Sequence, residues 1–119
     1  MPISLDDLQA RKENRKRALS EDLPLISAQL AGMGALRVIV FGSFAEGKVG
    51  SMSDLDLIAV MPETRTGKEW RRFINDTVEH EVGCDLLVYT EKELTDTIPV
   101  SSFLRHALST GKTVYEKRP

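Results

Sequence analysis

At 119 residues the chain is long enough for one compact domain and too short for two. Its 41% hydrophobic and 29% charged residues, net charge of −2 and single cysteine exclude three classes: a disulfide-stapled scaffold, a disordered polyelectrolyte, and a protein drawn to nucleic acid or anionic membrane by bulk positive charge. No run is long and apolar enough to span a bilayer, and residues 1–7 are acidic without an apolar stretch, so no signal peptide and a cytoplasmic location are expected.

Ser4 is placed to cap a first, polar helix that runs through Arg11-Lys12-Glu13-Asn14-Arg15-Lys16-Arg17. Leu19, Leu23, Ile26, Leu30 and Met33 then recur at helical spacing. Pro24 interrupts them, which predicts two pieces: a polar N-terminal helix over 1–19 and a core over 20–115, within a single domain of 1–119. Gly32 and Gly34 end the helical stretch.

Leu36 to Phe41 is rich in β-branched residues and reads as a buried strand. Gly42 to Ser53 reads as an irregular loop with room for one helical turn. A second strand is expected over Leu55 to Val60, with Asp54 at its mouth. Pro62 to Gly67 reads as a turn. Trp70, Phe73, Ile74 and Val78 form the apolar face of a helix expected to continue to Gly83. A third strand covers Asp85 to Tyr89, and Thr90 with Glu93 forms a capping box for a short helix. A last helix carries Phe103, Leu104, Ala107 and Leu108 and stops at Gly111. Thr113 to Tyr115 reads as an edge strand. Trp70, Phe73 and Phe103 are expected in the core. The fold class is α+β, a mixed sheet of three or four strands with flanking helices.

The carboxylates carry the chemistry. Asp54 and Asp56 alternate along one strand, so both side chains point to one face and Leu55 and Leu57 to the other. Paired carboxylates repel, and a hard cation such as Mg²⁺ between them relieves the repulsion. An antiparallel pairing of the first two strands puts Gly42 and Ser43 beside Asp54. A helical crossover makes the second and third strands parallel, which brings Asp85 to the same sheet end. Gly42 permits close backbone approach to a phosphate, and Ser43 with nearby N–H groups can hold phosphate oxygens. Asp54 and Asp56 suit two metal ions, and Asp85 suits an acceptor-side metal or the acceptor's proton.

The pattern Val38-Ile39-Val40-Phe41-Gly42-Ser43, a spacer, and Asp54-Leu55-Asp56-Leu57-Ile58 resembles the minimal nucleotidyltransferase family, the small branch of the DNA polymerase β-like superfamily. Gly47, Ser53, the Cys84-Asp85-Leu86-Leu87-Val88 strand and the ending Leu108 to Tyr115 match as well. The resemblance implies the nucleotidyltransferase fold and transfer of a nucleoside monophosphate from an NTP, with ATP expected, to an acceptor. It implies Mg²⁺, with two ions expected, held by Asp54, Asp56 and Asp85. Nucleotide binding would fall to Gly42, Ser43, Gly47 and Lys48. It also implies an HEPN-type protein partner in a toxin–antitoxin pair. The alternative in that setting is a non-catalytic antitoxin or nucleotide-binding module that acts by covering its partner. The chain departs from the pattern at Glu46, where many relatives carry Arg, and Lys48 is the nearest compensating charge.

The remaining features have plainer readings. Gly42 to Lys48 fits the start of a phosphate-binding G-x-x-x-x-G-K loop, but Val49 stands where Ser or Thr must hold Mg²⁺, and Gly50-Ser51 follow where a helix is required. His80 and His106 fall off the apolar faces of their helices and read as surface residues. Cys84 reads as a small buried hydrophobe, and Ser51 and Ser53 as loop formers. The basic run from Arg11 to Arg17 reads as a solvated helix face, so there is no strong nucleic-acid signal.

Overall fold

The computed structural model describes residues 4–118; residues 1–3 and 119, the ends of the expected domain, lie outside the described residues. The elements in chain order are α1 (Leu5–Gly32), β1 (Arg37–Phe41), α2 (Gly42–Ala45), β2 (Leu55–Met61), α3 (Gly67–Thr77), β3 (Cys84–Thr90), α4 (Glu91–Thr97), a 3-10 turn (Ile98–Val100), α5 (Ser102–Thr110) and β4 (Lys112–Glu116). The strands form one mixed sheet in the order β3-β2-β1-β4, the α+β architecture expected. β1 runs antiparallel to both β2 and β4, and β2 runs parallel to β3.

Strand alternation divides the core into two layers. Val38, Val40, Leu55, Leu57, Ala59 and Met61 face a cluster built with Leu19, Ile26 and Leu30 of α1 and with Trp70 and Ile74 of α3. Ile39, Phe41, Ile58 and Val60 face the other way, against Leu94, Leu104 and Ala107. Several of these side chains are wholly buried, and truncating one such leucine to alanine costs about 2–5 kcal/mol.

Three expectations are corrected. α1 is one continuous helix through Pro24, not two pieces. Pro24 sits on the exposed side, where the Ser20 carbonyl that loses its N–H partner still faces water, while Leu19, Leu23 and Ile26 anchor the inner side. α3 ends at Thr77 instead of reaching Gly83. Side chains of α1 replace the helical hydrogen bonds of residues 79–82: the Asp22 carboxylate accepts from Glu81 N at 2.9 Å and Val82 N at 3.2 Å. The Gln29 amide likewise donates to Glu79 O at 2.7 Å and accepts from Glu79 N at 2.8 Å. The chain therefore leaves α3 early and runs extended toward β3, burying Val82. The third correction is Phe103, which is 55% exposed and not in the core; it meets Phe41 edge-on, with ring centroids 5.8 Å apart. The capping box of Thr90 and Glu93 forms as expected, as does the Ser4 cap, whose hydroxyl accepts from Asp7 N.

Candidate active site

The two registers converge on one end of the sheet. Phe41 stands opposite Asp56 in the antiparallel pair, and Asp56 stands beside Asp85 in the parallel pair. Leu55 and Leu57 point into the α1 layer, so Asp54 and Asp56 share the opposite face with Ile58, Val60 and Leu87.

Two glycines make room for two of these carboxylates. Gly42 has φ +73°, a left-handed conformation that turns the chain from β1 into α2, and a Cβ there would collide with the Asp56 carboxylate. Gly83, just before β3, lies under Asp54: an added Cβ would come within 2.6 Å of Asp54 Cγ. The Gly83 carbonyl also accepts from Leu55 N at 3.0 Å, which fixes the loop against the mouth of β2. Gly83 was legible in the sequence only as a helix stop.

Burial raises the Asp56 pKa above the ordinary carboxylate value, and the charges of Asp85 and then Asp54 raise it further. Burial likewise pushes the Cys84 thiol up to about 11, with Asp85 next in effect, so this cysteine stays a thiol at neutral pH.

A cleft of about 570 Å³ opens beside these groups. Gly42, Glu46, Asp56 and Asp85 form its acidic side; Leu86, Leu87, Phe103 and Ala107 form an apolar wall, with His106 and Thr110 at hand. No lysine or arginine is among the residues lining it. Sequence reasoning read Phe103 as core and His106 as surface, and so missed both as cleft residues; only the docking of α5 beside β1 brings them to the acidic edge.

Asp54 stands beside this cleft and not in its wall. The Arg15 guanidinium of α1 donates to Asp54 Oδ1 from Nη2 at 2.8 Å and to the Ser53 carbonyl from Nε at 2.6 Å. The Asp54 side chain is 48% exposed and that of Arg15 27%, so this ion pair contributes at most about 1 kcal/mol to stability. The basic run was read as wholly solvated, and Arg15 corrects that: within residues 11–17 it alone is partly buried. A signal was present, since Arg15 precedes the buried Leu19 by one helical turn and shares its face.

Gly42 to Lys48 is one compact turn. Glu46 N donates to Gly42 O at 3.1 Å, and Lys48 N to Ser43 O at 2.8 Å. Gly47, at φ +73°, closes the turn. Ser43 is half-buried at the start of α2, whereas Glu46, Gly47 and Lys48 are exposed at its far end.

Among the described residues no three Asp, Glu, His or Cys side chains close into a ready-made metal cage. Mg²⁺ rarely takes such a cage; it binds through one or two carboxylates plus substrate phosphates. Adjacent hard-oxygen donors at Asp56 and Asp85, with no Cβ at Gly42 to crowd them, fit that mode. No helix among the described residues is long and apolar enough to cross a membrane.

Comparison with known proteins bears on the family and the fold. The model of the nucleotidyltransferase domain family matches residues 26–108, a span holding Gly42, Ser43 and all three aspartates. No curated protein matches the chain in sequence. Among solved structures, a provisionally assigned nucleotidyltransferase from Sulfolobus solfataricus is similar, with a TM-score of 0.63 at 14% identity over 90% of this chain and 88% of that one. At that identity the likeness speaks for the fold alone.

Proposed function

Because the chain belongs to the nucleotidyltransferase domain family, we propose that it moves AMP from ATP to an acceptor with the help of Mg²⁺, using Asp54, Asp56 and Asp85. The observation that carries this reading is the convergence of Gly42, Asp56 and Asp85 on one acidic cleft edge, with Asp54 beside it. Asp54 and Asp56 would hold the metal ions, with Asp85 completing the acceptor side. Bound Mg²⁺ would polarise the α-phosphate and neutralise the charge that develops on the attacking and leaving oxygens.

The protein groups do the positioning. Gly42 keeps the backbone close to the phosphates, and the N–H groups at the start of α2, without intrahelical acceptors, orient phosphate oxygens together with the Ser43 hydroxyl. Lys48 adds charge from the edge of the turn, and Gly47 lets that turn close. Asp85 holds or takes the proton of the acceptor hydroxyl. The apolar wall at Phe103 and Ala107 excludes water from the acceptor side. The family resemblance points to a protein acceptor of HEPN type in a cytoplasmic toxin–antitoxin pair.

A second reading rests on Glu46, which lines the cleft among Asp56 and Asp85 and adds negative charge where a triphosphate would lie. It makes the domain a module that binds its partner without turnover. One experiment separates the two. The pure protein and its Asp54→Asn/Asp56→Asn variant are incubated with Mg²⁺ and α-phosphate-labelled ATP in lysate of the host cell. Label on a macromolecule with the wild type alone supports transfer; no label from either, with partner capture intact, sinks it in favour of the binding module.

A further inference from the structure

α1 brings to the site a group that the proposed chemistry does not use. Arg15 lies outside residues 26–108, the span matched by the family model. Its guanidinium spans two acceptors, Asp54 Oδ1 and the Ser53 carbonyl, on the turn that leads into β2. The Ser53 hydroxyl in turn accepts from Gly50 N at 2.8 Å, so this turn is tied on both sides. Among the described residues only one other ion pair forms, Arg71 with Glu93 at 3.8 Å, between α3 and α4 and away from the aspartates. Among the described residues, Arg15 is thus the one cation paired with a carboxylate of the proposed site.

Two effects of that contact oppose each other. The guanidinium holds Asp54 in one orientation, which favours any ligand of that carboxylate modestly. It also places a positive charge beside any divalent cation that Asp54 would hold. Even at the dielectric of water, repulsion between a single and a double charge about 5 Å apart amounts to roughly a tenfold loss in cation affinity, and it exceeds the gain from fixing one short side chain. A nucleotide reverses the balance, because its phosphates offer the guanidinium a bidentate partner richer in charge than Asp54.

We propose that Arg15 is a specificity-determining residue: it occupies Asp54 in the nucleotide-free protein, so bare divalent metal binds poorly, and the site loads with metal and triphosphate together. The inference rests on the reading of Asp54 and Asp56 as metal ligands. α1 is then part of the site and not only a cover for the sheet.

The test is Mn²⁺ binding, measured by the loss of the free-ion electron paramagnetic resonance signal, with and without the non-transferable analogue α,β-methylene-ATP. The proteins are the wild type, Arg15→Met, Arg15→Lys and Asp56→Asn. Arg15→Met keeps much of the aliphatic stem while losing the charge, and thermal melts confirm that each variant folds. The expected result is about tenfold tighter Mn²⁺ binding to Arg15→Met without nucleotide. The analogue should then improve Mn²⁺ affinity about tenfold less in Arg15→Met than in the wild type. Arg15→Lys, which keeps the charge, should stay within about threefold of the wild type. Weaker Mn²⁺ binding by Arg15→Met, or equal binding by all Arg15 proteins while Asp56→Asn binds less, overturns the role of Arg15 and leaves the metal site standing. Mn²⁺ binding that Asp56→Asn does not change overturns the metal-ligand reading itself, and with it this inference.

Discussion

Replacing Gly83 by alanine should separate folding from chemistry. The Gly83 backbone lies outside the left-handed region, so alanine fits its dihedral angles without strain. The added Cβ would meet Asp54 Cγ at 2.6 Å and Oδ2 at 2.9 Å, where ordinary contact begins near 3.4 Å. The obstacle is the end of a half-exposed side chain, so the Asp54 carboxylate retreats by about 1 Å while the backbone stays in place. Gly→Ala at a compatible position gains about 0.4–1 kcal/mol through the unfolded chain, which roughly offsets the lost Arg15 contact. The melting temperature should therefore stay within about 4 °C of the wild type, the shift that corresponds to about 1 kcal/mol in a domain of this size. If Asp54 holds metal as proposed, a 1 Å misplacement of its carboxylate should, by contrast, lower the transfer rate by about 100-fold. The assay is initial-rate transfer of α-labelled AMP beside a thermal melt, with Gly50→Ala as control, since a Cβ there meets nothing nearer than Ser53 Oγ at 3.7 Å. Transfer within threefold of the wild type would refute the placement of Asp54 over Gly83 as a working part of the site. A collapsed melt would refute the claim that only a side chain must yield.

Other outcomes follow from the same geometry. Asp22→Ala removes the acceptor for Glu81 N and Val82 N and should lower stability by about 2–3 kcal/mol in a denaturant titration, with no direct effect on nucleotide affinity. Cys84, with its thiol pushed up to about 11, should react with iodoacetamide far more slowly at pH 8 than an unfolded control, and the gap should close on denaturation. Asp56 has a folded-state pKa raised above its unfolded value, so without metal its charge opposes folding once the pH exceeds the carboxylate range. Asp56→Asn should therefore raise the melting temperature of the metal-free protein at pH 7, and the gain should vanish as the pH falls below about 3.8, where the unfolded carboxyl is protonated too.

The sheet was legible because its signals are local. A β-branched run marks β1 and a mostly apolar run marks β2, and the crossover between β2 and β3 dictates their parallel pairing, which the register of Asp56 beside Asp85 shows. α3 was legible at its start and not at its end: the apolar spacing through Val78 favours helix, but Asp22 and Gln29, some 50 residues earlier in the chain, take the backbone groups that would continue it. Pro24 misled for a similar reason, since a proline's cost depends on whether its side of the helix is wet, and the burial of Leu23 and Ile26 decides that. At the site, Gly42 and the aspartates announce themselves by type and spacing. Gly83 and Arg15 do not, because a glycine under a carboxylate and one arginine among several acquire meaning only when α1 and β3 meet β2.

The order of the strands also bears on how the chain is made. β1 lies between β2 and β4, yet its two neighbours lie far apart in sequence, Leu55–Met61 on one side and Lys112–Glu116 on the other. All three aspartates precede Thr90, so on the ribosome the charged edge of the sheet can assemble before α5 and β4 have been synthesised. Until α4 and α5 dock, Ile39, Phe41, Ile58 and Val60 present a bare apolar surface, and it is then that a chaperone, or a second nascent chain, would find the protein most adhesive.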